Sequence, residues 1–139
     1  MKRDEDLVNI NLAKSLNERI NRLVASLKEQ QLLTGGPPAP TRTELVVDLL
    51  TAAVAEAEAQ RAQGQIPPAV QPVATERTMT VLVPRALQQR LQRECQQRTN
   101  ELPRAQRYTV PMLHLVNFLL LPAIEQREAD LNHPAGRRP

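Results

Sequence analysis

Thr78-Met79-Thr80-Val81-Leu82-Val83, followed at once by Pro84, sets a row of Thr78, Thr80 and Leu82 against a row of Met79, Val81 and Val83. A period of two is the signature of an extended strand whose successive side chains point to opposite faces. An earlier stretch, Leu7-Val8-Asn9-Ile10-Asn11-Leu12, has the same form. There Val8, Ile10 and Leu12 make an apolar row, and Leu7, Asn9 and Asn11 the other. Each strand is short and keeps an apolar face that needs cover. The two start roughly 70 residues apart, so an internal repeat is the first organisation to consider.

The segments after the two strands are also alike. Ser15-Leu16-Asn17-Glu18 reads as a capping box opening a helix whose stripe is Leu16, Ile20, Leu23, Val24 and Leu27. In the second copy Pro84 suits a first helical position, and Leu87, Leu91 and Cys95 continue a leaner buried stripe. The run Thr34-Gly35-Gly36-Pro37-Pro38-Ala39-Pro40 cannot be helical, since its prolines exclude the α conformation upstream. Thr41 with Glu44 then caps a second helix carrying Leu45, Val46, Leu49, Leu50, Ala53 and Val54, with Ala55 to Arg61 able to extend it. The matching connection, Leu102 to Tyr108, ends at Thr109 as N-cap. Met112, Leu113, Leu115, Val116, Leu119 and Leu120 form the central core helix, which Pro122 is expected to kink or end, leaving a frayed turn beyond Ile124.

The expected organisation is repeat one over residues 1–60, a Gln/Ala/Pro-rich linker over 61–76, repeat two over 77–126 and a flexible tail over 127–139. Units of this size seldom bury enough apolar surface alone, so each half needs the other. The fold class is mainly α with one two-stranded antiparallel β-ribbon, the two repeats pairing within the chain.

Charge points to one half. Residues 1–60 hold seven Lys/Arg against nine Asp/Glu, while residues 61–139 hold eleven, all Arg, against six. Guanidinium forks suit phosphate oxygens, though a solvated Arg-rich helix face is the commoner use. The aromatics are only Tyr108 and Phe118, so single-strand or RNA platforms built on base stacking lack their material. Cys95 is the single cysteine, which excludes an intrachain disulfide and fits a reducing cytoplasm. Neither an apolar leader after Met1–Asp6 nor an apolar run near the roughly 18 residues of a membrane span occurs, so a soluble, cytoplasmic protein without membrane partners is expected.

A short alternating strand, a helix, a loop and a second Thr-capped helix, all occurring twice, resemble the ribbon-helix-helix superfamily of bacterial and phage DNA-binding proteins. The resemblance covers most of the chain. It implies that the strands pair into a ribbon whose outer face enters the major groove of double-stranded DNA while the helices form the core beneath. It makes Asn9, Asn11, Thr78, Thr80 and Leu82 the base-contacting residues, because a ribbon in the groove presents its outward side chains to base edges. Leu7 and Leu82 depart from the family pattern, where Arg, Lys or another polar residue is common.

The resemblance also implies a phosphate anchor at the second helix of each repeat: Thr41, Arg42 and Thr43 in the first, Thr109 with Arg107 in the second, where Pro111 removes a donor. Lys2, Arg3 and Arg77 flank the strands and could add backbone contacts. The tandem arrangement is similar to that of certain plasmid-transfer (relaxosome accessory) proteins. The expected role is transcriptional regulation or plasmid transfer or maintenance, with a possible protein partner, as a monomeric pseudo-dimer or a homodimer.

An enzyme is not expected, because His114, His133 and Cys95 lack metal-ligand or nucleophile–base spacing, and no cofactor motif is present. His114, on an apolar helix, reads as a satisfied core or interface residue. The rival reading is a helical protein–protein interaction module whose strands only hold the halves together.

Overall fold

In the computed structural model, which describes residues 6–71, 77–106 and 108–132, the chain runs β1 (Leu7–Ala13), α1 (Lys14–Thr34), α2 (Arg42–Ala62), β2 (Thr78–Pro84), α3 (Arg85–Glu101), a 3-10 turn (Arg104–Gln106) and α4 (Met112–Asn132). The protein is mainly helical, with β1 and β2 paired antiparallel in a two-stranded sheet. Leu7 lies opposite Pro84, Asn9 opposite Leu82, Ile10 opposite Val81, Asn11 opposite Thr80 and Ala13 opposite Thr78.

Ile10 and Val81 stand 71 residues apart, and the same spacing relates Leu7 to Thr78 and Ala13 to Pro84. Positions along the strands therefore correspond about that central pair. The spacing continues into the helices, where Leu16 and Leu87, and Ile20 and Leu91, are all buried. At a spacing of 70, Leu45, Val46, Leu49, Leu50 and Val54 of α2 correspond to Leu115, Val116, Leu119, Leu120 and Ile124 of α4, again all buried.

Packing crosses between the halves. α4 covers β1 and meets α1, α2 covers β2 and meets α3, and α2 and α4 contact each other. Each strand's apolar row is thus closed by the other half's second helix. Burying a leucine of this kind contributes about 1.5–3 kcal/mol, so the apolar surface buried between these elements is a main source of their cohesion. Two ion pairs repeat the relation: Arg19 of α1 with Glu128 of α4, and Arg90 of α3 with Glu58 of α2.

One difference between the halves balances itself. The Ala13 N–H, buried where β1 enters α1, donates to Asn117 Oδ1 at 3.0 Å. Pro84 has no N–H to satisfy, and the residue corresponding to Asn117 is Val47. Donor and acceptor are both present at one end of the ribbon and both missing at the other.

Several local expectations are corrected. The strands run into the following helices without a break, so Ser15 lies inside the first turn of α1, and the N-cap is Ala13, which makes no side-chain cap bond. Pro84 is the N-cap of α3, with ψ 142°, and not its first helical residue. α4 starts at Met112, with Leu115 N–H bonding to Pro111 O, which leaves Thr109 upstream of the cap. Pro122 does not end that helix, which continues to Asn132 and takes in the start of the expected tail; α2 likewise runs to Ala62, past the expected repeat boundary. Proline costs the helix one hydrogen bond, and the burial of Leu119, Leu120 and Ile124 around it holds the chain in register. Met79 sits on the inner row but is 41% exposed, while Leu12 directly opposite it is fully buried.

The α3 stripe also differs from expectation. Cys95 is only half-buried, and Glu94 and Arg98, corresponding to Leu23 and Leu27 of α1, are buried instead. They pair with each other, Glu94 accepts from Arg61 Nη1 at 2.6 Å, and Arg98 Nη1 donates to Pro68 O at 2.6 Å. The start of the linker is thereby docked: Val70 is buried, and its carbonyl accepts from the Tyr108 hydroxyl at 3.3 Å.

Candidate nucleic-acid interface

Antiparallel pairing with this register puts Asn9, Asn11, Thr78, Thr80 and Leu82 on the outer face of one ribbon, all exposed, with Ile10, Leu12, Val81 and Val83 buried beneath. Val8 is half-buried on the same inner row. These five expected base-contacting residues are therefore brought together. Leu7 and Leu82, 37% and 44% exposed, make the end of the face nearer Pro84 apolar, whereas Asn11, Thr78 and Thr80 make the other end polar.

Cations stand at the ribbon's margins and not on it. Arg77 precedes β2, and its carbonyl accepts from the Lys14 N–H at 2.9 Å, which adds one bond to the ladder and brings Lys14 to the same end. Arg85 follows β2 at the opposite end. Arg77, Lys14 and Arg85 are exposed. Sequence reasoning missed Lys14 and Arg85; the signal was available, since each is the residue immediately after a strand, 71 positions apart.

Arg42 is not a free phosphate ligand in this structure. Its Nη1 donates to Asn17 Oδ1 at 2.8 Å and its Nη2 to Thr80 O at 3.2 Å, which ties the start of α2 to the ribbon edge. Thr41 caps α2 as expected. Its Oγ1 accepts from Glu44 N–H at 3.1 Å while Glu44 Oε1 accepts from Thr41 N–H at 2.9 Å. The box places a carboxylate against the helix's positive end, where it opposes an incoming anion. Thr43 and Glu44 line a surface cavity of about 550 Å³ with Leu7, Leu82, Pro84 and Asp48, so this flank of the ribbon is apolar and acid-rimmed.

At the other flank the expected anchor is weaker still, because Pro111 at the start of α4 offers no N–H and Thr109 is displaced from the cap. His114, third in α4, is half-buried, and its Nδ1 is buried without a partner among the described residues, against the satisfied histidine expected. Lys2, Arg3, Arg107 and His133 lie outside the described residues.

Part of the second half's positive charge is used internally. Arg61 donates to Glu101 Oε2 at 2.6 Å as well as to Glu94, and Arg90 donates to Glu58. The hydrogen bond from Arg61 holds the Glu101 carboxyl below its ordinary range, and that from Arg90 does the same for Glu58. Arg19 likewise lowers Glu128. Burial, with the Glu94 charge adding to it, pushes the Cys95 thiol up to about 11, which keeps it protonated near neutral pH. Among the described residues no cluster of His, Cys, Asp and Glu could hold a metal ion, and no helix is long and apolar enough to cross a membrane.

Comparison with family models, with curated proteins and with solved structures finds no match to this chain, so the ribbon's own geometry and chemistry carry the functional argument.

Proposed function

We propose that this protein binds double-stranded DNA by inserting the β1–β2 ribbon into the major groove, its two halves acting as tandem ribbon-helix-helix repeats paired into a pseudo-dimer, and that it serves as a transcriptional regulator or a plasmid transfer or maintenance factor. The observation that carries this reading is the uncharged polar face of Asn9, Asn11, Thr78 and Thr80, exposed on one ribbon and bordered by Lys14, Arg77 and Arg85. The major groove admits a two-stranded ribbon, and side chains on its outer face reach the edges that distinguish base pairs. Flanking cations meet phosphates and fix position without carrying sequence information. Because the two ends differ, the binding site is asymmetric or an imperfect repeat.

The test is equilibrium binding of the whole chain to duplex DNA across a salt series. Three flanking cations predict that log K falls with log salt at a slope of about −3, and that Arg77→Ala makes it shallower by about 1. Replacing Asn9, Asn11 and Thr80 together by Ala is expected to abolish sequence preference while leaving the helical circular-dichroism signal intact. Absence of salt-dependent duplex binding would reject the reading.

One observation favours the alternative, a helical protein-interaction module. Ala52, Ala53, Leu121, Pro122 and Ala123 border an apolar groove between α2 and α4, and Leu121 is 40% exposed. Grooves of this kind accept an amphipathic helix, and this one could serve a partner recruited to DNA.

A further inference from the structure

We infer that the duplex core recognised by this ribbon is A·T-rich, with Asn9 and Asn11 bonding adenine edges and Leu82 and Thr80 lying against thymine methyl groups. The inference rests on the proposed DNA binding and deepens it, by asking which base edges this particular face can meet.

Each base leaves a distinct demand in the major groove. Guanine offers O6 and N7 acceptors that Arg or Lys meets, and cytosine offers an N4 donor that Asp or Glu meets. Adenine offers an acceptor and a donor side by side, which the Asn amide matches with one bond to each, and thymine adds a methyl group that takes apolar contact. Neither strand contains a charged residue of any kind: β1 is LVNINLA and β2 is TMTVLVP. The ribbon therefore lacks the usual side chains for guanine and for cytosine. The Arg42 guanidinium, which reaches the ribbon edge, is spent on Asn17 and on the Thr80 carbonyl. Arg77 and Arg85 lie beyond the strand ends.

What the ribbon does present is complementary to A·T. Asn9 is directly opposite Leu82, and Asn11 is directly opposite Thr80. Directly opposed side chains have Cβ atoms roughly 4.5–5.5 Å apart. In each pair an amide suited to adenine thus stands beside a methyl-bearing group suited to thymine. Leu82 is 44% exposed on a face pointing away from the core, so apolar surface there is left open to a thymine methyl.

The experiment selects duplexes from a random pool on the whole chain, then replaces each thymine of the selected core by deoxyuridine, which removes only the methyl group. We expect an A·T-rich core, and a weakening of roughly fivefold or more at one or two thymines, where the methyl group no longer meets an apolar side chain. Leu82→Ala should bind more weakly than the wild type and lose most of its sensitivity to deoxyuridine. Asn9→Ala and Asn11→Ala should relax the preference for adenine by roughly tenfold at one position each. The deoxyuridine comparison on the wild-type chain does not depend on any variant folding. Salt-dependent binding to a G·C-rich core, or indifference of the wild type to every deoxyuridine, would overturn this inference and leave the DNA-binding reading standing. Failure to bind any duplex would overturn both.

Discussion

Asn117 shows how a single side chain is called for by its setting. A buried N–H without an acceptor costs about 1–3 kcal/mol, and the Ala13 N–H is closed off where strand meets helix. Asn117 answers it with Oδ1 and returns its own Nδ2 to Leu113 O at 2.7 Å. The corresponding pair at the other ribbon end, Pro84 with Val47, removes the demand instead. Ala13 has φ −64° and ψ 143°, close to the −60° and 142° of Pro84, so proline fits at residue 13 without strain. Asn117→Val is therefore expected to lose about 1–3 kcal/mol in urea unfolding, and Ala13→Pro with Asn117→Val to recover most of that loss. A double variant less stable than Asn117→Val alone would show that the two ends are not equivalent. None of this pairing was legible in the sequence, where Asn117 reads only as a polar interruption of an apolar helix.

α3 is the element in which polar and apolar solutions to one packing problem can be compared. Leu23 and Leu27 of α1 have Glu94 and Arg98 as counterparts, buried together and tied to Arg61 and the Pro68 carbonyl. Removing one member of a buried pair leaves an uncompensated charge and costs about 3–5 kcal/mol, whereas replacing both by apolar residues is often neutral or better. Glu94→Leu and Arg98→Leu are each expected to be strongly destabilising, and the double variant to regain at least half of the summed loss in a double-mutant cycle. Simple additivity would refute the coupling. The strands were legible because two rows alternate without interruption, and α2 because Thr41 and Glu44 form the box they spell. Helix starts next to strands were not, since the chain passes from β1 to α1 and from β2 to α3 with no loop residue to mark the change. The charged stripe of α3 was missed for a related reason: Glu and Arg at three- and four-residue spacing read as solvent-facing unless the partner helix and the docked linker are known.

At the scale of the whole molecule, the element that decides assembly is the ribbon, since among the described residues each strand has only the other as its neighbour in the sheet. In this structure β1 pairs with β2, α4 lies on β1 and α2 on β2, and Arg19 meets Glu128 as Arg90 meets Glu58. Single-chain pairing replaces the entropy lost when two molecules associate with the smaller cost of closing a connection, which grows only slowly with its length. Within that connection the Pro68 and Val70 carbonyls are held by Arg98 and the Tyr108 hydroxyl. Unfolding should then be a unimolecular transition, with a thermal midpoint unchanged as the protein is diluted from micromolar to nanomolar. An exchanged arrangement, β1 of one copy pairing with β2 of another, would instead be stabilised by mass action and lose stability on dilution. Circular dichroism at the high end and intrinsic or attached fluorescence at the low end would separate the two, and a midpoint that falls steadily with dilution would reject pairing within the chain.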